Sequence, residues 1–221
     1  MAADRPRALD AELTGYLDRH AAPGPDAVQQ RLIDATRDRT GWAAVMQIGI
    51  DQGLFFEMLT RAMRVERALE IGTFTGYSAL AIARGLAPGG TLLCCDVNAD
   101  WTALGREHWD LAGVGDRIEL RLGPALDTLA GLHPDDRFDL VFIDADKPNY
   151  GNYLQAVLPR LSPHGVVLVD NTLWSRRVLD DRVDDADTLA MRAFNDAVTA
   201  DERLRSVIVP VGDGVTMIQW R

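Results

Sequence analysis

The chain has 221 residues, a net charge of −10 and a hydrophobic fraction of 47%, which suits one α/β domain with a full core. The acidic balance argues against a broad nucleic-acid-binding face, though not against a local basic pocket. No stretch approaches the ~20 apolar residues of a membrane span, and Met1–Asp10 lacks the apolar run of a signal peptide. Cys94 and Cys95 are neighbours and would face opposite sides of a strand, so they read as core fillers and not as a disulfide or metal pair. A soluble cytoplasmic protein is expected.

In chain order, residues 8–20 and 26–39 read as two polar amphipathic helices, separated by Ala21-Ala22-Pro23-Gly24-Pro25. Residues 40–50 read as a connector. Asp51 is expected to cap a helix reaching about Val65, with Leu54, Phe55, Met58, Leu59 and Met63 at helical spacing. Strands and helices then alternate. Strands are expected over 67–72, 91–97, 117–122, 140–143 and 166–169, with helices over 76–86, 100–112, 124–132 and 149–161. Pro163-His164-Gly165 reads as the turn before the fifth strand. Residues 176–187 are charge-rich and read as a flexible loop, followed by a helix over 188–200. Two last strands, 206–211 and 215–220, flank Gly212-Asp213-Gly214. Five βα units and a hairpin predict a mostly parallel sheet with one antiparallel strand and helices on both faces.

The polar residues that matter sit where these strands end, the edge at which open α/β sheets bind ligands. After the first strand comes Leu69-Glu70-Ile71-Gly72-Thr73-Phe74-Thr75-Gly76-Tyr77-Ser78. Gly72 and Gly76 allow a tight turn and close approach to a ligand. Phe74 stands where a dinucleotide fingerprint has its second glycine, which argues against a dinucleotide and still permits a nucleoside without phosphates. Asp96, ending the second strand, suits either ribose hydroxyls or a helix N-cap. Glu70 is costly at a buried strand end without a partner, which a cationic ligand or the turn amides could supply. Ser78 is either a ligand contact or a helix-face hydroxyl. The fourth strand stops at Asp144-Ala145-Asp146-Lys147, and Pro148 suits a helix start. The fifth ends in Asp170-Asn171-Thr172-Leu173-Trp174. Alone, Asp170-Asn171 fits a loop cap as well as a metal site.

Taken in order, Leu-Glu-Ile-Gly-Thr-Phe-Thr-Gly-Tyr-Ser, Gly123-Pro124-Ala125, Phe-Ile-Asp-Ala-Asp-Lys, Asp-Asn-Thr-Leu-Trp and Pro210-Val211-Gly212-Asp213-Gly214 resemble the cation-dependent class I O-methyltransferases, the caffeoyl-CoA and catechol O-methyltransferase family. The resemblance spans about Met46 to the C-terminus. It implies a Rossmann-like, seven-stranded fold with an N-terminal helical appendage. It divides the single domain 1–221 into a helical cap and dimerisation segment, 1–45, and a catalytic core, 46–221. It implies S-adenosylmethionine as cofactor. Glu70, Gly72, Thr73 and Ser78 would hold the amino-acid part and Asp96 the ribose. Ala125 would meet the adenine, Ile48 would line the methionine side, and Asp144 would border the same site. Tyr153 would either pack nearby or simply pack its helix.

With the resemblance, Asp144, Asp170 and Asn171 become a metal set. Neighbouring strands lie ~4.8 Å apart, so their ends can converge on one ion. Two carboxylates and an amide oxygen suit Mg²⁺, with Ca²⁺ or Mn²⁺ as alternatives, and offer zinc no soft ligand. A small aromatic substrate with vicinal hydroxyls would chelate that ion, which lowers the hydroxyl pKa. Lys147 would act on the same oxygen as general base or, charged, as oxyanion stabiliser; nearness to a cation favours the base role. Trp174 would wall the substrate pocket or belong to the core. Arg176 and Arg177 depart from relatives and would greet an anionic acceptor or lie solvated. A homodimer is implied, with Leu13, Tyr16 and Leu17 as contact or packing residues. Other readings are methylation of an amine or of a hydroxylated tRNA base, a nicotinamide-dependent oxidoreductase, and a non-catalytic scaffold.

Overall fold

A computed structural model describes residues 11–221. Two helices open it, α1 (Ala11–His20) and α2 (Ala27–Thr40). The first three residues of the expected 8–20 helix and the Leu13 side chain are not among the described ones. Asp26 caps α2 in a reciprocal box, accepting from the amides of Val28 at 3.0 Å and Gln29 at 2.9 Å while Gln29 Oε1 accepts from the Asp26 amide. This satisfies amides that a helix start leaves orphaned.

A 3-10 turn, Gly41–Met46, leads into α3 (Ile50–Met63). Gly49 is its N-cap, so Asp51 is not the cap expected; it lies inside the first turn, where its charge still suits the helix dipole. Then follow β1 (Arg67–Ile71), α4 (Tyr77–Gly85), β2 (Thr91–Asp96), α5 (Ala99–Leu111), β3 (Ile118–Leu122), α6 (Ala125–Ala130), β4 (Phe138–Ile143), α7 (Tyr150–Val157), β5 (Leu161–Val169), α8 (Ala186–Ala200), β6 (Leu204–Val209) and β7 (Val215–Trp220). The helix expected over 149–161 is α7 flanked by 3-10 turns at Lys147–Asn149 and Leu158–Arg160, each with a proline near its start.

One seven-stranded sheet has the order β3-β2-β1-β4-β5-β7-β6. β7 runs antiparallel to both β5 and β6, and the other pairs are parallel. Alternate residues of the central strands enter opposite cores, because a strand's side chains alternate. Val141, Ile143 and Cys95 pack with Tyr150 and Phe194 on one face. Leu140, Phe142 and Cys94 pack with Phe56, Ile82 and Trp109 on the other. Both cysteines are free and buried, as expected.

Pro163-His164-Gly165 is not a turn. It lies within β5, where the pairing with β4 shifts between Phe138 and Leu140. A Cβ on Gly165 would lie 2.8 Å from the Phe138 carbonyl oxygen, so this close backbone approach needs glycine. The expected flexible loop after Trp174 is also more ordered than its composition suggests. It opens with a 3-10 segment, Trp174–Leu179, and Arg192 of α8 donates to the carbonyls of Arg177, Val178, Asp180 and Val183 at 2.5–3.1 Å. Among the described residues, no helix is long and apolar enough to cross a membrane.

Candidate active site

The chain moves outward from β1 to β3 and then returns to β4 at β1's other side. This reversal opens a crevice at the strand ends. Pairing continues one residue past each strand: the Gly72 amide donates to Cys95 O, Asp144 to Ile71 O, and Asp170 to Ile143 O, at 2.9–3.0 Å. The register therefore delivers Gly72, Asp144 and Asp170 side by side. Gly72 has φ +88°, and a Cβ there would stand 1.9 Å from the Asp144 carbonyl oxygen. Only glycine permits both that backbone and the neighbouring strand exit.

Lys147 Nζ ties this edge together. It donates to Asp144 Oδ1 at 3.0 Å, to Asn171 Oδ1 at 2.8 Å and to the Tyr150 hydroxyl at 2.6 Å. The rings of Tyr150 and Trp174 lie 4.7 and 5.5 Å from the same nitrogen. Lys147 is 9% exposed and Asp170 only 2%. Burial, then the charge of Asp144, pushes the Asp170 carboxyl up to about 7, against the pull of Gln52, the Asn171 amide and Lys147. Asn171 takes a left-handed backbone at φ 58°, a conformation asparagine tolerates better than most residues. Lys147 is also the only lysine in the chain; every other member of the 23 Lys and Arg residues is arginine. Composition alone carried that signal, and the motif reading passed over it. The same reading did not single out Tyr150, which lies three residues beyond Lys147.

A cleft of about 700 Å³ runs from this cluster to the β1 turn. Ile48, Gly72, Thr73, Ser78, Asp144, Lys147, Asp170, Asn171 and Trp174, all expected site residues, line it. Trp174 thus walls the cleft, and its indole Nε1 donates to Thr188 Oγ1 at 3.1 Å. Glu70, Asp96 and Ala125 are not among the lining residues.

Asp96 braces the turn instead: Oδ2 accepts from the amides of Thr73 and Phe74 at 2.9 and 2.8 Å, and Oδ1 from Asn98 at 2.7 Å. The turn amides are thereby taken, and they are not the partners of Glu70. Glu70 is fully buried, accepts from Cys94 Sγ at 3.4 Å, and leaves Oε1 without a partner among the described residues. Burial pushes its carboxyl up to about 8, with Ser78, Cys94 and Thr73 pulling the other way. Gln47 Oε1, Gln52 Nε2, Thr73 Oγ1 and the Tyr77 hydroxyl are likewise buried and unpaired. All four of these residues line the cleft. Native interiors seldom leave such groups unsatisfied, so the cleft has the chemistry for a polar ligand.

Three further side chains near the cleft are held by partners of their own. Asp146 makes no side-chain cap at its helix start; its Oδ1 accepts from the Tyr153 hydroxyl at 2.6 Å and its Oδ2 from Asn149 at 2.5 Å. Tyr153 is therefore held by Asp146. Arg177 pairs with Asp185 at 2.5 Å, so it is not a free cation awaiting an anionic acceptor. Asp213, at the β6–β7 turn, joins the cleft and accepts twice from the Ser175 amide, at 2.8 and 2.9 Å.

Comparison with known proteins agrees with this architecture. An O-methyltransferase family model matches residues 20–220, reaching further toward the N-terminus than the motifs do. Caffeoyl-CoA O-methyltransferase 2 of Zea mays is 40% identical over 185 residues, covering 78% of this chain and 69% of its own. The SAH-bound methyltransferase of Podospora anserina superposes with a TM-score of 0.86 at 28% identity, covering 98% of this chain and 99% of that one. The O-methyltransferase TomG of Streptomyces achromogenes, solved in complex with SAM, gives 0.85 at 26% identity, covering 96% and 99%. A seven-stranded Rossmann-like sheet, a cleft at its strand ends and a family match over nearly the whole chain lead to one conclusion: the chain belongs to the O-methyltransferase family and is a SAM-dependent O-methyltransferase.

Proposed function

We propose that the enzyme is divalent-cation-dependent and methylates a hydroxyl of a small catechol-like aromatic. The observation that carries this is the convergence of Asp144 Oδ1 and Asn171 Oδ1 on one positive charge, the Lys147 ammonium, beside buried Asp170. Two carboxylates and an amide oxygen fit a hard cation, Mg²⁺ before Ca²⁺ or Mn²⁺. Asp144, Asp170 and Asn171 would hold it.

When bound, S-adenosylmethionine supplies the methyl group, and the cation supplies charge that lowers the pKa of a coordinated hydroxyl. As a neutral amine Lys147 would take the acceptor hydroxyl's proton at Nζ, and as the ammonium it would stabilise the oxyanion. Trp174 walls the aromatic acceptor, and Asp213 and Ser175 edge the same cleft. At the other end Glu70, Thr73 and Ser78 face the amino-acid part of the cofactor, with Ile48 along its methionine side. Asp96 is poised for the ribose through Oδ1, which accepts from Asn98 alone and keeps acceptor capacity, whereas Oδ2 is filled by the Thr73 and Phe74 amides. Ala125, opening α6 beyond β3, would border the adenine. The protein's main contribution is alignment, worth ~7–11 kcal/mol in well-oriented reactions.

The names of the curated relatives place their acceptors among phenolic CoA esters, which supports a phenolic substrate here. In the same proposal residues 1–45 form a cap and dimer segment on a 46–221 core. The exposed apolar side chains of Tyr16, Leu17 and Trp42 support that part.

The test is a mass-spectrometric assay of a catechol panel with S-adenosylmethionine, with and without Mg²⁺, on the native enzyme and on Asp144→Ala. Methylation should need Mg²⁺, and the variant should lose it while keeping its fold. Turnover that survives EDTA, or survives Asp144→Ala, removes the cation from the mechanism.

A further inference from the structure

We infer that Tyr150 is the positioning residue for Lys147, fixing Nζ through its hydroxyl, which also lies 3.5 Å from Asp144 Oδ1. A lysine ammonium has three donors. All three are engaged here, with Asp144 Oδ1, Asn171 Oδ1 and the Tyr150 hydroxyl. The first two acceptors belong to residues that the proposed function commits to a cation, and this inference rests on that proposal. Once those oxygens are occupied, the Tyr150 oxygen is the acceptor left from the three. It is also the nearest, at 2.6 Å.

Lysine carries its charge on a flexible four-carbon stem. Without a fixed partner, Nζ would swing away from the acceptor oxygen. Tyr150 is suited to prevent this because it does not itself move. It is fully buried, and its ring packs edge-on against Phe194 at 5.7 Å. Local backbone brings the pair together. The intervening Lys147–Asn149 segment is a 3-10 turn, in which residues three apart eclipse. Tyr150 therefore follows Lys147 by one turn, with Nζ at the hydroxyl end of its ring, 4.7 Å from the ring centroid, and the Trp174 ring centroid 5.5 Å away on a second side.

Because Lys147 is the only lysine, protein labelled with [ε-¹³C]lysine gives one side-chain signal. Wild type, Tyr150→Phe and Tyr150→Leu are compared by that signal, by thermal denaturation, and by kcat and KM with saturating Mg²⁺. In wild type the two Lys147 Hε protons should be inequivalent, as expected of a fixed stem beside a ring. In Tyr150→Phe, which keeps the ring, they should collapse toward one shift. The same variant should lose ~10–100-fold in kcat, while KM for S-adenosylmethionine stays within about twofold, the pattern of lost alignment at the reacting atoms. Tyr150→Leu should lose both the ring shift and the rate; if it fails to fold, Tyr150→Phe decides alone. A Tyr150→Phe enzyme that keeps its kcat, or keeps the split Hε pair, overturns the inference. So does a rate loss accompanied by equal losses of cofactor affinity and melting temperature. If wild type methylates no catechol, the proposed function fails, and the Hε signal still decides whether Tyr150 holds Lys147.

Discussion

Replacing Glu70 by glutamine should make the ligand-free protein more stable and its cofactor binding weaker. Glu70 is fully buried beneath the β1 turn with one oxygen unpaired. Its carboxyl moves from 4.5 to about 8 on folding, chiefly by burial. Between those values the folded chain keeps a proton that the unfolded chain has released, so stability is highest below 4.5 and falls as pH rises toward 8. A move of that size corresponds to about 5 kcal/mol once both states are ionised, and about 3 kcal/mol at pH 7. Glutamine has nearly the same shape and no charge to lose. Urea unfolding of Glu70→Gln should therefore match wild type near pH 4 and exceed it by about 3 kcal/mol at pH 7. Calorimetric titration should show the reverse for function: affinity for S-adenosylmethionine should fall by about 1.5–3 kcal/mol, the worth of a hydrogen bond to a charged group. The variant trades an active-site liability for stability. A stability difference that does not change between pH 4 and pH 7, or undiminished cofactor affinity, would refute the reasoning.

Gly72→Ala should cost about 3 kcal/mol or more in urea unfolding, combining ~1–2 kcal/mol for the left-handed backbone with a clash against the Asp144 carbonyl, which no side-chain rotation can relieve. A loss below about 1 kcal/mol would mean the β1 and β4 exits can separate freely. Phe142→Ala should cost about 3–5 kcal/mol, since the ring is fully buried and meets Phe56 edge-on at 4.7 Å; it should leave KM for both substrates near wild type if the core merely supports the site.

Much of the site was legible because it lies where strands end. A short apolar run cut off by Asp144 or Asp170 marks such an end in one dimension, and parallel pairing then places the ends side by side. Helix starts were less legible. Asp51 has the right residue type for a cap, yet Gly49 occupies the position. Composition also misjudged Pro163–Gly165, because nothing local announces that the Phe138 carbonyl approaches there. The segment after Trp174 looked loose because its restraint, Arg192, lies on another helix.

The sequence by itself determined the alternation of strands and helices, the glycine turn after β1, and the residue types available for a hard cation and a proton. These depend on neighbours a few positions apart, and the chain records them directly. Tertiary structure alone decided the partners. It gave the turn amides to Asp96 and left one buried oxygen of Glu70 unpaired. It paired Arg177 with Asp185 and Asp146 with Tyr153. It brought Lys147 between Asp144, Asn171 and Tyr150. A side chain's partner depends on which strand ends lie next to one another, and that order follows from burying both faces of the sheet at once.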